Sequence, residues 1–137
     1  MARGRALFDS LASSCSKRAD SLFLLVTTAG DDEAGVCVEI LSFLERVLAG
    51  DAEDPGFFCA LYTIDPDDII NWDDETVWQK ANPSIGVTVD PRVLREECAR
   101  GRQIPGSKAN FLMKHLNVFV QGGSESPLLN HADINAA

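Results

Sequence analysis

The sequence predicts an α/β fold: a fragment of a parallel sheet built from strand, helix and strand, followed by a small helical region. Leu22–Val26 is a run of five apolar residues, typical of a strand buried on both faces of a parallel sheet. A second apolar run covers residues 57–64, and an amphipathic helix is predicted between the two runs. Strand, helix and strand in this order make a β-α-β unit.

The helix between the two runs is bounded by capping signals. Asp31 or Asp32 is suited to cap its N-terminus, and Gly50 is expected to end it after Ala49. In front of the first run, apolar residues at helical spacing predict a helix that ends near Ser16.

Short helices are predicted in the second half of the chain. Asp73 or Asp74 is suited to cap a helix that continues through Ala81, and the proline at position 83 stops it, since proline restricts the residue before it. A carboxylate directly before a proline predicts another helix, from Asp90 to Gly101.

The last predicted elements follow a loop. Ser107 is suited to cap a further helix, and Val118–Val120 is a candidate short strand. Residues 121–137 are rich in Gly, Ser and Asn and are expected to be disordered.

The formal net charge of −9 is unevenly distributed. Residues 31–90 carry two basic and fifteen acidic side chains, so this middle stretch should repel DNA. Only the outer segments are suited to nucleic acid. The four cysteines stand far apart, which argues against a zinc cluster, and no apolar run is long enough to span a bilayer.

The only credible phosphate-facing surface is the basic set of Arg92, Arg95, Arg100, Arg102, Lys108 and Lys114, of which the four arginines are the candidate site residues. The first two are three residues apart and share a helix face. The alternative is a solvated helix face, because Glu96 and Glu97 dilute the charge.

A cluster of acids follows the second apolar run. Asp65, Asp67 and Asp68 are oxygen ligands of the type that Mg²⁺ prefers, so a magnesium-dependent hydrolase is one hypothesis. A solvated acidic loop is the favoured interpretation, and no metal site is assigned.

Three phrases in fixed order resemble the large terminase subunit of tailed bacteriophages. They are LFLLVTTAG (residues 22–30), WQKANPSIG (residues 78–86) and NFLMKHLN (residues 110–117). The resemblance implies a sheet of the P-loop ATPase type and a parent activity of ATP-driven packaging and cleavage of viral DNA.

The resemblance also implies a role for the Thr27–Gly30 turn. Thr27, Thr28, Ala29 and Gly30 match the family's coupling motif, which links ATP hydrolysis to DNA movement. No G-x-x-x-x-G-K-[ST] loop occurs in the 137-residue sequence, so the loop that binds the β- and γ-phosphates is missing from it. No catalytic residue is assigned, and the chain is expected to be inactive alone.

The resemblance divides the chain into three parts. Residues 1–66 are expected to be the C-terminal part of the motor ATPase domain, residues 67–120 a helical linker toward the nuclease, and residues 121–137 a tail. No cofactor is assigned to the chain alone, whereas ATP and Mg²⁺ are implied for the full-length family. The implied partners are the remaining ATPase and nuclease segments, the small terminase subunit, the portal and double-stranded DNA, in the cytoplasm of a bacterial host.

An alternative from another class is a small acidic α/β module that binds other proteins and is unrelated to terminase. A sheet cut from its neighbours would expose apolar edges, so the isolated chain is expected to be marginally soluble or oligomeric.

Overall fold

The computed structural model describes residues 2–15, 17, 19–30 and 35–120. These residues form α-helices and a 3₁₀ helix. In chain order they are α1 (Ala2–Cys15), α2 (Val36–Ala49), the 3₁₀ helix (Pro66–Asn71), α3 (Glu75–Ala81), α4 (Pro91–Gly101) and α5 (Pro105–His115). The predicted tail at residues 121–137 lies outside the described residues.

The prediction of a parallel α/β sheet is wrong. Among the described residues there is no sheet, and the pairing of Ile85 with Val89 is an isolated bridge. Residues 22–30 and 57–64 belong to no sheet, and neither does Val118–Val120. The described part of the chain is therefore helical.

The sheet prediction was wrong because an apolar run does not by itself specify a strand. A strand needs a neighbour that accepts and donates its backbone hydrogen bonds, and a run of apolar residues does not say whether that neighbour exists. Leu22, Leu24 and Val26 are 82%, 73% and 84% exposed. These alternate residues make one apolar row that faces solvent, which is the opposite of the buried strand that was expected.

The helix termini predicted at Gly50, Asp74 and Asp90 are present in the structure. The Asp74 carboxylate accepts the backbone N–H of Thr76 at 2.8 Å, and the Asp90 carboxylate accepts the backbone N–H of Arg92 at 2.9 Å. Gly50 ends α2 with φ +82°, in the left-handed region that glycine tolerates best.

Two capping predictions have other outcomes. α5 begins at Pro105, two residues before Ser107, because a proline is already suited to the first helical turn. Asp31 and Asp32 lie outside the described residues, and α2 begins after Gly35.

The chain divides into two compact units. Unit 1 comprises Met1–Thr27 and Asp32–Ala60, and unit 2 comprises Thr28–Asp31 and Leu61–Ala137. Within unit 1, the Arg5 guanidinium pairs with the Glu39 carboxylate and so joins α1 to α2. Aromatic contacts add to unit 1, since the rings of Phe43 and Phe57 meet edge to face at 5.1 Å.

Unit 2 is built around aromatic residues. Phe111 of α5 is 1% exposed, and its ring lies 5.6 Å from each of the rings of Trp72 and Trp78. The Trp78 indole N–H donates to the Trp72 carbonyl at 2.8 Å, so the polar atom of a buried ring is satisfied. Leu94 of α4 and Leu116 complete the centre of this core.

Helices α4 and α5 pack closely at Gly101. A Cβ atom there would lie 3.2 Å from the Lys108 Cα and 3.2 Å from the Trp72 ring. The absence of a side chain at Gly101 is therefore what allows the start of α5 to approach α4.

Candidate functional site

The turn that matches the coupling motif is held at one edge of unit 2. Thr27 and Thr28 are exposed, whereas Ala29 is only 2% exposed. The Ala29 backbone N–H donates to the Asn117 Oδ1 atom at 2.6 Å. The two threonines of the motif are thus exposed residues, while the Ala29 backbone is held by a hydrogen bond to Asn117.

Asn117 adopts an uncommon backbone conformation. Its φ is +56°, and it is the one non-glycine residue with positive φ in the described part of the chain. This conformation costs most L-residues about 1–2 kcal/mol, and asparagine tolerates it better than most. It lies two residues after His115, the last residue of α5, and the next residue, Val118, donates its N–H to the Leu112 carbonyl at 3.0 Å.

Side chains from distant parts of unit 2 satisfy the last carbonyls of α5 and of the residues after it. The Asn82 Nδ2 atom donates to the His115 carbonyl at 2.5 Å. The Thr63 hydroxyl lies 3.3 Å and 3.2 Å from the carbonyl oxygens of Leu116 and Asn117. A helix C-terminus leaves such carbonyls without partners inside the helix, so these contacts fix where α5 ends.

Sequence reasoning missed this cluster of Thr63, Asn82 and Asn117. It treated Asn82 only as part of a helix stop. A signal existed for Asn117, because asparagine directly after a helix is a common left-handed terminator. Nothing in the sequence indicated its partners, which lie 88 and 55 positions away.

Two of the three acids in the cluster, Asp65 and Asp68, pair with one lysine. The Lys80 Nζ atom lies 2.6 Å from the Asp65 carboxylate and 2.5 Å from the Asp68 carboxylate. A hydrogen bond from Lys80 lowers the pKa of Asp68, and hydrogen bonds to Asp65 and then to Asp68 raise the pKa of Lys80. An ammonium group already stands where a magnesium ion would have to bind, and this argues against the hydrolase hypothesis.

The four arginines proposed to face phosphate are brought onto α4 and its C-terminus, and each pairs with a carboxylate. The partners of Arg92, Arg95, Arg100 and Arg102 are Asp90, Glu75, Glu97 and Asp73. The Arg95–Glu75 pair is bidentate, at 2.6 and 2.7 Å, and lowers the pKa of Glu75. Since all these side chains are substantially exposed, each pair contributes little to stability and is open to exchange.

Across residues 2–15, 17, 19–30 and 35–120, no group of three or more His, Cys, Asp or Glu side chains is arranged to hold a metal ion. Within the same ranges, no helix has both the length and the apolar character needed to cross a membrane.

These observations define a helical segment with an aromatic core and ion-paired acids in its described part. A family model described as the terminase large subunit, endonuclease domain, matches residues 51–136. The chain belongs to this terminase family. The resemblance inferred from the three sequence phrases is therefore confirmed, and the alternative of a module unrelated to terminase is set aside.

A curated relative extends the similarity to most of the chain. Protein YmfN of Escherichia coli (strain K12) is 30% identical over 119 residues, which cover 87% of this chain. The aligned part is 26% of YmfN, so the chain spans about a quarter of that relative's length. No solved structure matches this chain.

Proposed function

We propose that the chain is part of a tailed-bacteriophage terminase large subunit, the ATP-driven motor that packages viral DNA and cuts it. Its described residues would position other parts of the protein rather than perform the chemistry. The family match over residues 51–136 is the observation on which the proposal depends. The chain alone would be inactive as an ATPase, since its sequence has no phosphate loop. It would also be inactive as a nuclease, because carboxylates of its described part pair with lysine and arginine instead of converging on a cation.

The pairing of the acidic side chains supports a positioning role for unit 2. Nuclease chemistry of the metal-dependent type needs carboxylates that converge on a cation. In unit 2 the carboxylates of Asp65, Asp68, Asp73 and Glu75 instead contact lysine or arginine side chains. These pairs join the 3₁₀ helix to α3 and α3 to α4, so the acids link neighbouring helices and do not form a metal site.

The proposed organisation follows the three predicted parts. Residues 1–66 would belong to the motor ATPase region, residues 67–120 to the helical region next to the nuclease, and residues 121–137 to a tail. Partners would be the remaining segments of the terminase, its small subunit, the portal and double-stranded DNA, with ATP and Mg²⁺ bound elsewhere in the large subunit. The site of action would be the cytoplasm of a bacterial host.

The direct test is the coding sequence around this chain. An in-frame G-x-x-x-x-G-K-[ST] loop within roughly 200 residues upstream supports the proposal, the span being that of a typical domain. An open reading frame of that length without such a loop would remove the motor assignment. A cleavage assay of the chain on supercoiled plasmid with Mg²⁺ is expected to give no product above the buffer blank.

The cleavage assay also separates the hydrolase hypothesis from the proposal. If the chain nicks plasmid and the Asp65→Asn, Asp67→Asn variant does not, the acidic loop is catalytic and the positioning role is wrong. Nicking that persists in this variant indicates a contaminating nuclease. A preparation free of that contaminant must then give no more product than the buffer blank.

The phosphate-facing role of the arginines remains a prediction with its own test. We expect the Arg92→Ala, Arg95→Ala variant to bind a DNA duplex more weakly and to lower the slope of log K against log salt by about 2. Fluorescence anisotropy across a salt series measures both. Arg46→Ala, which removes an exposed arginine of α2, is the matched control. Equal slopes for the double variant and the parent would exclude these two arginines from a DNA interface.

A further inference from the structure

Asn117 makes an unusual set of contacts for a residue at the end of a helix. Its Oδ1 atom accepts the Ala29 N–H at 2.6 Å, and its Nδ2 atom donates to the Tyr62 carbonyl at 3.0 Å. One neighbour offers a donor and the other an acceptor, so only one orientation of the amide group satisfies both. A single side chain thus joins three distant segments of unit 2.

The backbone of Asn117 strengthens this interpretation. Glycine is the residue that adopts positive φ most readily, yet here an asparagine holds φ +56°. A helix end alone would be satisfied by glycine. The asparagine side chain adds what glycine cannot supply, which is the bond to the buried backbone of Ala29.

The residues on either side of Asn117, at the end of α5, are held in the core of unit 2. Leu116, directly before Asn117, is fully buried, and Phe111, five residues before Leu116, lies against Trp72 and Trp78. Val118, directly after it, is also buried in the same core. A close-packed core does not absorb a displacement locally, so movement of Asn117 is transmitted to α5.

We propose that Asn117 is a positioning residue that mechanically couples the Thr28–Gly30 turn to α5. A displacement of the turn pulls on the amide of Asn117 and is passed through the end of α5 to the aromatic core of unit 2. The inference rests on the proposed function for the cause of that displacement, a nucleotide step at the coupling motif, but the connection itself is a property of this chain.

The first test measures amide hydrogen exchange by NMR in the 137-residue chain and its variants. Asn117→Gly keeps the backbone conformation and removes both side-chain bonds. We expect Ala29 to exchange about tenfold faster or more in this variant, with the amides of Leu94 and Cys98 in α4 unchanged as a measure of folding. Asn117→Asp keeps an acceptor for Ala29 and loses the donor to Tyr62, so Ala29 should stay protected.

The second test asks whether a structural change at Ala29 reaches the residues at the end of α5. Ala29→Gly removes a buried methyl group from the turn, and we expect it to shift the amide resonances of Leu116 and Val118. In the Asn117→Gly background the same change should no longer reach them. Unchanged exchange of Ala29 in Asn117→Gly, or shifts that persist without the asparagine, would overturn the inference.

Neither measurement uses ATP or DNA, so either failure leaves the terminase proposal standing. Conversely, a coding sequence without a phosphate loop would remove the nucleotide step and leave the measured connection intact.

Discussion

At the residue scale, His115 connects the stability of unit 2 to pH. Its ring lies 5.2 Å from the Phe111 ring, and burial lowers its pKa below the ordinary 6.5, with Glu97 opposing the shift. The unfolded chain therefore binds a proton more readily than the folded one. The neutral His115 ring should therefore make its full contribution to the free energy of unfolding above pH 6.5. That contribution should be lost as the pH falls from 6.5 through the lowered pKa of the folded state. Urea unfolding between pH 7.5 and 5, followed by tryptophan fluorescence, measures this.

The variant that tests this prediction removes the His115 imidazole. His115→Gln should flatten the curve over this range, because the ring whose pKa is lowered by burial is then absent. The pKa values of Asp68, Asp74, Glu75 and Asp90 are lowered from 3.8 or 4.5, so their contributions are lost only at still lower pH. Identical curves for the parent and His115→Gln would show that this ring does not titrate with folding.

Residues whose partners are close in sequence were predictable, and residues with distant partners were not. Asp74 and Asp90 cap helices through an amide two positions away, so the sequence itself contains both partners. Asn82 and Asn117 act on carbonyl or amide groups 33 to 88 positions away. Such contacts depend on how helices pack, which no local pattern encodes.

At the element scale, Gly101 sets the approach of α4 to α5. Gly101→Ala would place a Cβ atom 3.2 Å from the Lys108 backbone, which cannot move aside as a flexible side chain can. We expect a loss of about 1–3 kcal/mol in the free energy of unfolding, since overpacking outweighs a gain in helix propensity of at most about 1 kcal/mol. Tryptophan fluorescence in urea reports on this unit directly, because both tryptophans of the chain lie in its core.

Gly106 in the first turn of α5 offers a matched control. A Cβ atom there would meet nothing within 4 Å, and its backbone has no positive φ. Gly106→Ala should be neutral or should stabilise by up to about 1 kcal/mol. If both variants unfold at the same urea concentration, the close approach at Gly101 does not limit the packing of the two helices.

Helices could be predicted from this sequence and strands could not, for a physical reason. An α-helix satisfies its own backbone hydrogen bonds, so the apolar spacing in α2 and the signals around Asp90 are sufficient evidence. A strand obtains its hydrogen bonds from another segment. Leu22–Val26 has the composition of a strand, but composition does not supply that segment.

At the scale of the whole molecule, the terminase family could be recognised although the fold prediction was wrong. Phrases such as WQKANPSIG and NFLMKHLN surround residues that prove structural, including Trp78, Asn82, Phe111 and Asn117. Both phrases therefore contribute core or hydrogen-bonding residues to unit 2. The packing partners of the 22–30 phrase could not be predicted, since its apolar row faces solvent.

That exposed row gives a prediction about the isolated chain. Leu22 and Leu24 are both strongly exposed residues of unit 1. Apolar surface of this kind favours self-association, so we expect oligomers that grow with concentration in sedimentation velocity. Replacing both by lysine should remove about 3 kcal/mol or more of apolar burial and weaken association by roughly a hundredfold. Val87→Lys is the control, because Val87 is equally exposed but lies in unit 2. A parent chain that remains monomeric at all concentrations, or a control that dissociates as completely as the double variant, would show that the row does not mediate association.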